Sequence, residues 1–228
     1  SHDATLEFTT VNIGGLITCD DKFSGAAVID DTVYFAPFVA DVIGVFDTTA
    51  NEGKGAFSTI SLDDEVSGDI KFSGAVSIDK KVYFIPDDAE VVGILDTAPT
   101  AGQPQFSTIS LEQSLRGYSM FSGAVVVGTK IVFVPCHADV IAILDTTGND
   151  GAGVISTVSL QDKVCGDYKF WGAAVVSDRV YFAPYDADAV GVYDSAANGG
   201  QGEFDIISLE GKVQGGDKFK GAAVVGDK

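Results

Sequence analysis

The sequence predicts an all-β chain, a β-propeller of four-stranded antiparallel blades, and three observations carry this. A 49-residue unit recurs without insertion: Phe23, Phe72, Phe121, Phe170 and Phe219 stand 49 apart, each followed two residues later by Gly25, Gly74, Gly123, Gly172 and Gly221. Pro37, Pro86, Pro135 and Pro184 keep the same interval, as do Asp47, Asp96, Asp145 and Asp194. The apolar runs inside each unit are short, β-branched or aromatic, and bounded by Gly, Pro, Asp and Asn, which is the signature of strands and turns. None has helical periodicity.

In the first unit, Gly25–Ile29 reads as a small, apolar inner strand, suited to the crowded axis. A turn at Asp30-Asp31 leads to a second strand, Val33–Pro37, and a loop to a third, Val42–Phe46. A Gly/Asn-rich turn from Thr48 to Gly55 precedes a fourth, Phe57–Leu62. Tyr, Phe and Leu fill the wider space between blades. Four strands in a period of about 40–50 residues are what one propeller blade occupies. Residues 1–228 then form a single domain, with blades at about 23–62, 72–111, 121–160 and 170–209. Residues 8–13 read as a fourth strand and 219–228 as the start of a first strand, so the two share a closing blade and the expected ring has five blades, one incomplete. Lys228 aligns with Lys81, and Asp96 lies fifteen positions beyond Lys81, so about fifteen more residues would supply the two missing strands. A truncated or incompletely known sequence, complementation by a second chain, or a larger parent propeller would each explain this. An unfinished blade exposes strand edges that invite self-association.

The lines Gly-Ala-Ala-Val, Val-Tyr-Phe-Ala-Pro and Val-Gly-Val-Phe-Asp resemble blades of the NHL/YVTN-type (kelch-like) propeller repeats, across nearly the whole chain. The resemblance implies a fold that serves enzymes, lectins and protein-interaction platforms, and it names no activity.

Composition narrows the partners. Only 14 Lys and Arg stand against 33 Asp and Glu, a formal charge of −19. Such a chain is a poor match for nucleic acid or an anionic membrane. No apolar run reaches membrane-spanning length, and no secretory core is visible at the N-terminus. Three cysteines, Cys19, Cys136 and Cys165, are an odd set and no disulfide framework. The compartment is left open, with a secreted or extracellular setting favoured.

Loops between strands two and three share a rim, here called the top, with the loops that lead from strand four to the next blade. Asp41, Glu90, Asp139 and Asp188 fall there at one repeat position, and Lys22, Lys71, Lys169 and Lys218 precede the repeating Phe. The acids and lysines are expected to pair between blades. Alternatively, Asp41, Glu90, Asp139 and Asp188 form a metal site for Ca²⁺, which wants several oxygens at one point. Asp47, Asp96, Asp145 and Asp194 are expected to cap the lower turns through side-chain to backbone hydrogen bonds.

Residues repeated in every blade build the scaffold, so departures mark a ligand site. Met120 stands where other units have Lys, Trp171 where they have Ser24, Ser73, Ser122 or Lys220, and Cys136-His137 where the second has Asp87-Asp88. Arg116, Tyr118, His137, Tyr168, Trp171 and Tyr185 all map to the top rim at the third and fourth blades and form the candidate ligand site. Aromatic faces beside a few polar groups suit a sugar or another polar ligand. Cys136, His137 and Cys165 are a weak zinc set, lacking a Cys-x-x-Cys pair. Adjacent residues on an extended chain face opposite ways, so Cys136 and His137 do not form a nucleophile–base pair. No nucleophile elbow, phosphate loop or dinucleotide fingerprint occurs. The expected function is non-enzymatic recognition of carbohydrate or protein through this lectin-like top face, without an obligatory cofactor. The alternatives are a Ca-dependent, lactonase-like hydrolase and an acidic interaction scaffold.

Overall fold

A computed structural model describes residues 10–62, 65–100, 102–160 and 162–226. Sixteen strands form four separate antiparallel sheets. Blade one holds β1 (Phe23–Ile29), β2 (Thr32–Pro37), β3 (Val42–Asp47) and β4 (Ala56–Ser61). Blade two holds β5 (Phe72–Ile78), β6 (Lys81–Pro86), β7 (Val91–Asp96) and β8 (Gln105–Ser110). Blade three holds β9 (Phe121–Val127), β10 (Lys130–Pro135), β11 (Val140–Asp145) and β12 (Val154–Ser159). Blade four holds β13 (Phe170–Val176), β14 (Arg179–Pro184), β15 (Ala189–Asp194) and β16 (Glu203–Ser208). Strand order follows chain order in every sheet, as in a propeller blade. No helix among the described residues is long and apolar enough to cross a membrane.

The inner strands β1, β5, β9 and β13 pack side by side about the axis. They approach closely at glycine: a Cβ on Gly25 would meet the Gly74 Cα at 3.1 Å, and one on Gly172 the Gly221 Cα at 2.9 Å. Both residues have positive φ, which only glycine adopts freely. Three apolar layers fill the interfaces between successive blades. Within blade one, Phe23, Phe35 and Phe57 form a tilted triad, repeated by Phe72, Phe84 and Phe106 and by Phe170, Phe182 and Phe204. Gly44, Gly93 and Gly191 leave room for these rings, since a Cβ at any of them would lie 2.8–3.1 Å from ring carbons. In blade three Ile155 replaces the last Phe, and Ala142 replaces the glycine.

The lower turns are capped as expected. The Asp47 carboxylate accepts from the Thr49 amide and hydroxyl at 2.8 Å, and Asp145 accepts from Thr147 at 3.0 and 2.7 Å. Asp96 and Asp194 accept from the amides of Ala98 and Ala196. The hydrogen bonds from Thr49 and Thr147 hold the Asp47 and Asp145 carboxyls below their ordinary range.

Among the described residues four blades stand complete, and their sheets do not close into a ring. Of the proposed closing blade, residues 8, 9, 227 and 228 lie outside the described residues, and 10–13 and 219–226 form no strand. The C-terminal stretch nonetheless follows the path of a next inner strand. The Lys218 amide donates to the Tyr185 carbonyl at 2.9 Å, and Gly221 packs on Gly172. A ladder needs a second strand beside it, and among the described residues none pairs with this stretch. Val11 and Ile13 lie with Phe23, Phe35, Phe46 and Phe57 along a groove of about 420 Å³ on blade one.

Candidate functional site

One repeat position dominates the top of the axis. The residue after each Pro is Phe38, Asp87, Cys136 or Tyr185. Its amide donates within the blade to the carbonyl of Lys22, Lys71, Met120 or Lys169 at 2.9–3.0 Å. Its carbonyl accepts from the next blade, from the amide of Lys71, Met120, Lys169 or Lys218, at 2.9–3.4 Å. The backbone here is therefore fixed on both sides, while four different side chains are presented from one frame. The residue two before each repeating Phe (Asp21, Ile70, Ser119, Tyr168 or Asp217) has φ between 45° and 54°. Non-glycine residues adopt this left-handed state only at a cost of about 1 kcal/mol or more, and only where surroundings enforce it. The carbonyls of Asp21, Ile70, Ser119 and Tyr168 accept amides at the tip of the neighbouring loop, which holds the turn.

The repeated acids and cations form clamps between blades. Lys71 Nζ lies 2.9 Å from Asp41 Oδ1 and 3.0 Å from the Val39 carbonyl. Lys169 reaches Asp139 and the His137 carbonyl, both at 3.1 Å, and Lys218 reaches Asp188 at 3.2 Å and the Asp186 carbonyl at 3.0 Å. The three lysine side chains are 1% exposed and their acids 63–85%. At the second-to-third junction Met120 supplies no cation. Arg116 takes over, with Nη1 2.9 Å from Glu90 Oε2 and Nε 2.9 Å from the Leu111 carbonyl. Two departures from the repeat, Met120 and Arg116, thus compensate one another. Arg116 belongs to a clamp, and none of the ring contacts that join the other five candidate ligand residues includes it. Asp41, Glu90, Asp139 and Asp188 each turn to their own cation, and among the described residues no three His, Cys, Asp or Glu side chains are grouped to hold a metal ion. These four acids do not fit a shared Ca²⁺.

The other five candidates are brought together. His137 packs edge-on to Tyr168 at 4.4 Å between centroids and lies 5.8 Å from Tyr118. Tyr168 is 6.3 Å from Tyr185, which is 5.3 Å from Trp171. The result is a continuous row, Tyr118–His137–Tyr168–Tyr185–Trp171, across blades three and four. Tyr118 is 58% exposed and Tyr168 36%. Two local features build it. The left-handed backbone at Tyr168 turns the chain beneath its ring. At the loop tips, Asp88 and Asp186 accept the amides of Ser119 and Asp217 at 2.8 and 2.9 Å, and in blade three this position is His137, which contributes a ring instead. A hydrogen bond with Asp217 fixes the Tyr185 hydroxyl and pushes its pKa up to about 12. Lys220 Nζ sits 5.3 Å from the Trp171 ring centroid and 5.4 Å from that of Tyr185.

Beside the row lies an axial cavity of about 150 Å³, lined by Ser24, Ser73, Ser122, Asp87, Cys136 and Trp171 among others. Asp87 Oδ1 and His137 Nε2 are buried without a hydrogen-bond partner. Burial is the main cause that raises the Asp87 carboxyl to about 6, against a hydrogen bond from Ser119 and the nearby His137, which lower it. Asp87 is the residue that sequence reasoning missed as a site. Its signal was the repeat column Phe38, Asp87, Cys136, Tyr185, which varies fully directly after an invariant Pro. All three cysteines are free. Burial pushes the Cys136 thiol up to about 11, which keeps it neutral. Cys165 lines a different groove, with Lys163, Asp186 and Gln214.

No protein-family model and no curated protein matches the chain. Solved structures do. A proposed 6-phosphogluconolactonase from Bacteroides uniformis ATCC 8492 aligns with TM-score 0.55 at 13% identity, over 82% of this chain and 55% of that one. The periplasmic gluconolactonase PpgL of Pseudomonas aeruginosa aligns at 0.54 and 11%, over 78% and 54%. A nidogen/laminin complex aligns at 0.53 and 13%, over 82% and 64%. The chain therefore spans 54–64% of the length of these structures. At such identities the likeness is one of fold, and it agrees with the four blades in making the chain a β-propeller.

Proposed function

We propose that this propeller is a non-enzymatic recognition protein whose top face, at blades three and four, binds carbohydrate. The supporting observation is the row Tyr118–His137–Tyr168–Tyr185–Trp171, in which Tyr118 and Tyr168 are exposed and the other three rings half-buried. Sugar rings present C–H faces that stack on aromatic rings, while their hydroxyls need polar groups at the edge. Asp186 and Asp217 stand at that edge beside Tyr185, and Asp217 already binds the Tyr185 hydroxyl. The formal charge of −19 favours neutral or basic glycans over sulfated and sialylated ones. A glycan array probed with the wild-type chain and with Trp171→Ala and Tyr168→Ala tests this. Binding to a defined neutral or basic glycan class, lost in both variants, supports it. A blank array overturns the carbohydrate reading, and capture of a protein ligand that depends on the same row would replace it with protein recognition.

A second reading is a lactonase-like hydrolase. Two observations favour it: the unpartnered Asp87 at the axial cavity, and two proteins described as lactonases among the fold neighbours. Calcium in the channel was part of that expectation, and a stoichiometric axial cation in the purified protein, with lactone turnover lost in Asp87→Asn, would establish it in place of the first reading.

A further inference from the structure

The walls of the axial cavity have an unusual polarity. Ser24 Oγ donates to the Ser73 carbonyl at 3.2 Å, Ser73 Oγ to the Ile85 carbonyl at 3.4 Å, and Ser122 Oγ to the Phe170 carbonyl at 3.0 Å. Each hydroxyl thus spends its one proton on the backbone, and only lone pairs remain to meet a ligand. Ser119 likewise hydrogen-bonds the Asp87 carboxylate, whose Oδ1 is left buried and unpartnered. Apart from the weak donor of the Cys136 thiol and the indole N–H of Trp171, the polar side chains around the cavity accept and do not donate. Phe38, Phe121 and Trp171 complete the lining. Acceptors, one carboxylate and aromatic faces together match a cation that also donates hydrogen bonds. The chain itself gives an example of the chemistry: the Lys220 ammonium lies over Trp171 and Tyr185 at 5.3 and 5.4 Å.

We propose that this axial cavity binds a small primary ammonium group, held by Asp87 Oδ1, by the hydroxyl oxygens of Ser24, Ser73 and Ser122, and by the face of Trp171. The cavity shares Trp171 with the rim row but none of the row's other rings, and its occupancy does not require a ligand at the rim. About 150 Å³ is room for on the order of five waters at about 30 Å³ each, so the occupant is an amine head group or a compact amine. A quaternary ammonium has the charge but no donors. A polyol has donors but no charge, and it would leave the carboxylate uncompensated. The groups facing Asp87 are Asp88 on its own loop, His137 and Cys136 on the blade-three loop, and the Ser119 hydroxyl.

Methylammonium, tetramethylammonium, glycerol and calcium chloride are titrated separately into the wild-type chain at constant ionic strength. The readout is the single indole N–H resonance of Trp171, backed by thermal shift. Methylammonium is expected to give a saturable shift, with affinity at least about tenfold above that for tetramethylammonium, and glycerol and calcium none. Asp87→Asn preserves shape and removes the charge, and it should weaken methylammonium by about tenfold or more while leaving the spectrum folded. Ser73→Ala and Ser122→Ala together provide a second, milder lesion that should weaken it severalfold. No saturable shift with methylammonium, equal affinity for tetramethylammonium or calcium, or undiminished binding by Asp87→Asn would overturn the proposal. Glycan binding at the rim should survive Asp87→Asn, so failure of one site is distinguishable from failure of the other.

Discussion

Consider the blade-three clamp, in which Lys169 is buried and Asp139 is 63% exposed. The asymmetry makes the two halves of the pair inequivalent. Removing Asp139 leaves an ammonium sealed at 1% exposure with one acceptor, the His137 carbonyl. Breaking a fully buried pair this way costs about 3–5 kcal/mol. Here solvent already screens the acid and the carbonyl contact survives, so about 2 kcal/mol is expected for Asp139→Ala. Lys169→Met reproduces what Met120 does naturally one blade earlier. It removes the desolvated charge, fills the space with a flexible apolar chain and frees one carbonyl, for about 1 kcal/mol. Once the lysine is gone, Asp139 is an ordinary surface acid. The double variant should therefore cost about 1 kcal/mol, not the sum of about 3. Urea unfolding followed by Trp171 fluorescence, with m-values compared across the four proteins, measures the cycle. Additive effects, or Lys169→Met more damaging than Asp139→Ala, would refute the view that the buried ammonium is the costly partner.

Other expectations follow from the same contacts. Gly191→Ala places a methyl group against Phe170, Phe182 and Phe204 and should cost about 1–3 kcal/mol by overpacking, while Gly191→Ala with Phe204→Ile, the pair native to blade three, should recover most of it in chemical denaturation. Asp87 has a folded pKa raised from 3.8 to about 6, so the folded state holds its proton more tightly. Its contribution to stability is fully present below about pH 4 and is lost as pH rises through about 6. The rise from 3.8 to about 6 corresponds to about 3 kcal/mol for a fully desolvated group and about 1 kcal/mol once partial exposure is allowed for. Asp87→Asn should accordingly flatten the stability-versus-pH curve between pH 4 and 6 and stabilise the chain at pH 7, and an unchanged slope would contradict the assignment. Arg116→Ala should destabilise by about 1 kcal/mol through loss of the Glu90 clamp, with glycan binding retained.

The blades were legible in the sequence because the physical constraints repeat with the chain. The 49-residue interval, the Gly-Ala inner strand and the Asp caps each recur, and each answers to a local requirement that four sheets share. The row at blades three and four was legible by subtraction, since Tyr168, Trp171 and Tyr185 depart from what other units carry. Arg116 departs too, yet its meaning is visible only in three dimensions: it replaces a cation that Met120 removed from another position, and subtraction cannot tell a compensating change from a functional one. The acids at Asp41, Glu90, Asp139 and Asp188 show the reverse problem. Their shared repeat position suits either a ring about one ion or a series of pairs, and only the direction of each side chain decides. Asp87 was hidden because desolvation belongs to the assembled axis, where side chains from all four blades meet.

The most direct test of the account is the ¹H–¹⁵N spectrum of the chain during titration with a neutral oligosaccharide drawn from the array. The recognition reading predicts that the lone Trp171 indole peak and the amides of Tyr118, Tyr168 and Tyr185 move together along one saturating curve. Movement confined to the lower turns or the outer strands, with the Trp171 peak unmoved at saturation, would contradict it.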